Sequence, residues 1–84
     1  MILWKDFLRK LQEDGVVLGE VEHELLDESG ERVTAKVLTR RLHGKLLWIE
    51  IGFQTLDDRV PRRTQRQIAN RLRLPPERYV FEES

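Results

Sequence analysis

Three runs of alternating side chains, separated by two short turn signals and flanked by helix-periodic stretches, constrain this chain most. Val16 to Leu26, Arg32 to Leu42 and Lys45 to Phe53 each repeat with a period of two, the signature of a half-buried strand. Asp27-Glu28-Ser29-Gly30 and His43-Gly44 carry the residues that close tight turns. Such short connections join antiparallel neighbours, so the middle of the chain reads as a three-stranded meander.

The flanks have a different period. From Ile2 to Asp14, apolar residues recur at Leu3, Phe7, Leu8 and Leu11, with Trp4 beside them, and Gly15 supplies the stop. Pro61 opens a second helix expected to run to about Leu74, where Pro75-Pro76 ends it. Ile68, Ala69 and Leu72 form its narrow apolar stripe. Pro76 to Phe81 is expected to form a short final turn or helix, with Glu82-Glu83-Ser84 frayed beyond residues 1–81. Strands with one apolar face need helices to cover it. The expected fold is α+β: an α-β-β-β-α two-layer sandwich with two helices on one face of an antiparallel sheet.

The chain has 84 residues and no cysteine, so it makes one small domain without disulfide or thiolate-metal staples. Dimerisation is one way for such a domain to gain stability. No apolar run approaches the ~20 residues that span a bilayer, and no leader-like segment is visible. A cytoplasmic protein without membrane contact and without a cofactor is expected.

Net charge is zero, but it is sorted along the chain. Residues 1–31 sum to −6, 32–58 to +2, 59–73 to +6 and 74–84 to −2. Arg59, Arg62, Arg63, Arg66, Arg71 and Arg73 fall within fifteen residues that hold no acid. At ~100° per residue, Arg62, Arg66 and Arg73 align on one helix flank with Arg63 next to them, while Arg71 points elsewhere. Arginines spaced along a flank can track nucleic-acid phosphates. An acidic protein surface, a second copy of the chain, and plain solvation are the competing readings.

A second surface is expected on the sheet. Alternation places Leu47, Ile49, Ile51 and Phe53 under the helices and Leu46, Trp48 and Glu50 on the outer face. In β-strand one, Val17, Gly19, Val21, His23 and Leu25 alternate with Glu20, Glu22 and Glu24 as an acidic outer face. In the second, Val33, Ala35, Val37 and Thr39 take one side and Arg32, Thr34, Lys36, Leu38 and Arg40 the other. A three-residue turn at His43-Gly44-Lys45 sets Arg40 opposite Trp48, in cation–π reach. Arg40, Trp48, Leu38 and Leu46, with Leu18 and Leu42, then form a partner or homodimer surface.

A first hairpin closing at Glu28 pairs Glu24 with Arg32 and Glu20 with Lys36. Those pairings explain the acidic strand as structural, and no further acids converge on it to hold a metal. His23 falls on the apolar side of the first strand and His43 in a turn. Neither has a serine, cysteine or second histidine at useful spacing, so no catalytic residue is assigned.

The stretches KDFLRKLQEDGVVL, DESGERVTAKV and VPRRTQRQIANRLRLPPERY, in this order, resemble the double-stranded-RNA-binding-domain-like fold of HicA-type toxins. That resemblance implies the same sandwich. In the family it goes with a messenger-RNA interferase whose histidine follows Gly-Ser on the sheet. Here His23 follows Val21-Glu22, so the catalytic motif is absent. Thr64 to Val80 is also similar to the first half of a helix-turn-helix, with Thr64, Ile68, Ala69, Leu72 and Leu74 at its start and core positions. Arg73 stands where its turn takes glycine, and Pro76 to Phe81 is too short for a recognition helix. The expected function is a small nucleic-acid-binding module using Arg62, Arg63, Arg66 and Arg73. The alternatives are a protein-interaction or homodimerising module and an atypical ribonuclease.

Overall fold

The structure, a computed structural model, describes residues 1–27 and 29–81. Glu28 in the first turn and the expected frayed end at 82–84 lie outside the described residues. The element order is α1 (Trp4–Glu13), β1 (Val17–Leu26), β2 (Arg32–Leu42), β3 (Lys45–Ile51), α2 (Arg62–Arg71) and α3 (Pro76–Tyr79). The sheet is antiparallel in the order β1-β2-β3. The helices cover one of its faces, giving the expected α+β sandwich with Cα extents of 36 × 35 × 18 Å.

α1 buries Trp4, Phe7, Leu8 and Leu11, and its charges run with the helix dipole: Asp6 in the first turn, Lys10 in the last. Its end is a Schellman turn. The Val16 N–H donates to the Leu11 carbonyl and the Gly15 N–H to that of Gln12, with Gly15 at φ +92°. α2 ends the same way, three residues earlier than expected. The Leu74 N–H donates to Ala69 and the Arg73 N–H to Asn70, with Arg73 in the left-handed region at φ +55°. Leu72 ends the buried stripe of the helix, and the turn after it brings Leu74 into the core as well. Arg73 holds a position that glycine occupies at lower cost.

The core lies between the helices and one sheet face. Phe7, Leu11, Leu38, Ile68, Leu72 and Tyr79 are its largest fully buried apolar side chains, each contributing about 1.5–3 kcal/mol of transfer free energy. Phe53 stacks on Trp4 at 4.8 Å between ring centroids. The one buried polar side chain among the described residues, Gln65, has a partner at each end of its amide. Its amide donates to the Val60 carbonyl at 2.9 Å and accepts from the Phe81 N–H at 2.7 Å. The Tyr79 hydroxyl donates to Asp14, tying α3 to the end of α1.

The sheet differs from the expectation in register, and the difference decides which residues face the helices. The β2–β3 turn has two residues, His43 at φ +50° and Gly44 at φ +80°, the positive-φ pair of a hairpin whose twist matches its strands. Leu42 therefore pairs with Lys45, Thr39 with Trp48, and Arg40 with Leu47. One residue of slip exchanges the faces of a strand. Leu38 and Leu18 accordingly join Leu47, Ile49 and Ile51 beneath the helices. Val33, Ala35, Val37 and Thr39 share the opposite face with Trp48.

The β1–β2 hairpin is also offset. Leu26 pairs with Arg32 and Glu24 with Thr34. A bulge then lets Val21, Glu22 and His23 face the single residue Ala35, after which Glu20 meets Lys36 as expected, at 3.4 Å. Arg32 reaches Glu24 only diagonally, at 3.9 Å.

Candidate nucleic-acid interface

The residues of α2 divide cleanly. Gln65, Ile68 and Ala69 are buried, whereas Arg63, Arg66, Gln67 and Asn70 are exposed. Arg63 and Arg66 lie about 60° apart around the helix, with Gln67 and Asn70 continuing the same face. The ten residues of the helix include no acid, and two arginines occupy its first turn. The N-cap, Pro61, offers no side-chain hydrogen bond. Positive charge there works against the macrodipole at a cost of about 0.3–1 kcal/mol per side chain. Among the described residues, Arg63, Arg66 and Arg73 have no acidic partner within 4.0 Å.

Not all four expected arginines are equivalent. Arg62 is half-buried at the margin of the helix, and its Nε is enclosed without a hydrogen-bond partner. Arg73 is exposed but lies past the helix end, so its place comes from the Schellman turn rather than from helical spacing. Gln67 and Asn70 were not singled out by charge. Their signal is that they lie between arginines on the face opposite Ile68 and Ala69.

Arg40, Trp48, Leu38 and Leu46 do not form one surface. Leu38 is 0% exposed in the core. Arg40 lies on the helix side and caps α2, its Nη1 donating to the carbonyls of Leu72 at 2.8 Å and Arg73 at 2.9 Å. The cation at Trp48 is Arg71 instead. It lies 5.4 Å from the ring centroid, and its Nε donates to the Trp48 carbonyl at 3.0 Å, closing the edge of β3. Leu46 and Trp48 remain together on the helix-free face.

His23 is on that helix-free face too, paired with Glu50 from the far side of β2. Arg63 and Arg66 lie on the solvent side of the helix layer, so His23 and those arginines cannot grip one phosphate. Beside the start of α2 is an open cavity of about 600 Å³, lined in part by Trp4, Phe53, Asp58, Arg59, Thr64 and Gln67. It mixes both charge signs and joins no catalytic set. Among the described residues no three His, Asp or Glu side chains converge as a metal site, and no helix is long and apolar enough to cross a membrane.

No family model matches this chain, and no curated protein or solved structure is significantly similar to it.

Proposed function

We propose that this domain binds the phosphate backbone of a nucleic-acid duplex through the solvent face of α2. Arg63, Arg66 and Arg73 contact phosphates, Arg62 adds to the field at the margin, and Gln67 and Asn70 lie between them. The observation that carries this reading is the first turn of α2. Its arginines oppose the helix dipole and lack acidic partners among the described residues, so the fold gains nothing from their charge. Charge kept at a cost to the fold is accounted for by a ligand of opposite sign.

The duplex is favoured over unpaired strands because α2 carries no aromatic ring. Single-strand binders stack bases on such rings, whereas a duplex presents its backbone regardless of sequence. Gln and Asn can read adenine edges where a groove lets them in.

Salt dependence is the test. Three phosphate contacts give a slope of about −2.7 in log K against log salt, or roughly a 40-fold loss between 50 and 200 mM. A fluorescently labelled duplex, as RNA and as DNA, titrated at both salts should show that loss. The Arg63→Ala/Arg66→Ala/Arg73→Ala variant should bind weakly with a nearly flat slope. Binding that ignores salt, or that survives the triple substitution, overturns the proposal.

A further inference from the structure

The helix-free face of the sheet carries an apolar patch in the middle and opposite charges at its two ends. Register sets out its rows: Arg41 with Leu46, then Val17, Thr39 and Trp48, then Gly19, Val37 and Glu50. Val17 is 62% exposed, Leu46 56% and Trp48 46%. Arg41 is exposed at one end, and Arg71 lies over the Trp48 ring. At the other end Glu50 keeps 28% of its side chain exposed, while its Oε2 is enclosed against the His23 imidazole.

We propose that this face is the interface of a symmetric homodimer of the chain, with the strands of the two copies antiparallel. A two-fold axis across the strands, passing between the Thr39 and Val37 rows, exchanges one end of the patch for the other. Arg41 and Arg71 of each copy then approach Glu50 of its partner. Val17 lies over the notch that Gly19 leaves by having no side chain. The two Trp48 rings come together beside the axis. A two-fold interface must carry each feature and its complement on the same patch, and this patch does so twice, in charge and in shape.

Area sets the size class of the interface. Seven residues of strand and three strands cover roughly 350 Å² in projection. Two interlocked copies bury roughly 1,000 Å², the lower end for a specific association. An interface of that size falls in the weak, transient class, so the protein concentration decides whether the dimer forms. The dimer also leaves both α2 faces outward, so dimerisation and nucleic-acid binding are independent.

Sedimentation equilibrium from 1 to ~300 µM tests this, a wide range suited to a weak, transient interface. The protein should pass from monomer to dimer. Arg41→Glu and Glu50→Lys should each weaken the dimer at least tenfold, and mixing the two should recover most of that loss, because both contacts between positions 41 and 50 are then complementary and only one Arg71 meets a like charge. Circular dichroism checks the fold of each. Should Glu50→Lys fail to fold without its His23 pair, Val17→Asp, at a site exposed in the monomer, must weaken association tenfold. The Arg63/Arg66/Arg73 triple alanine variant should dimerise like the parent. A monomer throughout, or a dimer indifferent to Arg41→Glu and Val17→Asp, overturns the proposal.

Discussion

Replacing Arg63 by glutamate should make the protein more stable and less able to bind phosphate. Arg63 is exposed in the first turn of α2, where no acid is present and no side chain caps the helix. Removing a cation there relieves about 0.3–1 kcal/mol, and placing an anion there gains a similar amount. Exposure and salt screening favour the low end, so the expected gain is about 0.5–1 kcal/mol. For a domain of this size that raises Tm by roughly 2–8 °C. Arg63→Ala should give about half the gain. The effect should be largest at low ionic strength and shrink towards 0.5 M salt. Thermal melts by circular dichroism measure the stability, and anisotropy with a labelled duplex measures the binding. α1 is the internal control. Its Asp6 and Lys10 already run with the dipole, so Asp6→Arg should destabilise. Loss of stability in Arg63→Glu would show that the arginine supports the fold, and the main argument for a ligand would fail.

Arg73→Gly should also trade binding for stability. Left-handed backbone at φ +55° costs a non-glycine residue about 1 kcal/mol, so its urea midpoint should rise while the salt slope of duplex binding falls. Arg40→Met keeps the aliphatic stem but removes both hydrogen bonds to the end of α2. It should lower unfolding free energy in urea by about 2 kcal/mol, and a loss below ~0.5 kcal/mol would show the cap to be idle. Asp27 accepts from the Ser29 hydroxyl and from the Glu31 and Ser29 amides, which pull its carboxyl down to about 2 from 3.8. A depressed carboxyl stabilises fully above 3.8 and stops doing so as pH falls through about 2. Asp27→Asn should therefore be less stable than the parent at pH 6, with the gap closing between pH 4 and 2. A gap of constant size across that range would refute the assignment.

How far the fold was legible follows from where each signal was local. α1, the three strands and the start of α2 each carry their own local signal, and those readings needed no tertiary information, whereas the end of α2 was set by the turn at Arg73 rather than by Pro75-Pro76. The facing of β2 did not work that way. Val33, Ala35 and Val37 on one side and Leu38 and Leu42 on the other are both apolar enough to be buried. The choice depended on whether the His43-Gly44 turn held two residues or three. That single residue moved Leu38 into the core and turned Arg40 from a neighbour of Trp48 into the cap of α2. The basic face was legible in part, because acid is absent from 59–73. Two arginines at the wrong end of a dipole already follow from Pro61 opening the helix, but their lack of acidic partners among the described residues and the enclosure of Arg62 needed the structure. The Arg71–Trp48 contact could not be read, since it joins a helix end to a sheet edge only in three dimensions.

The clasp between α3 and α1 has a consequence for how the chain is made. The sheet uses residues 17–51, so its strands can pair while the rest is still being synthesised. The layer above it cannot close at that stage. Tyr79 meets Asp14 across 65 residues, and the Phe81 N–H satisfies Gln65 in the core. Until those residues leave the ribosome, α1 has an apolar stripe with nowhere complete to go. A nascent chain that has not yet reached Tyr79 and Phe81 therefore lacks part of the cover over Phe7, which both rings meet edge-on in the folded domain.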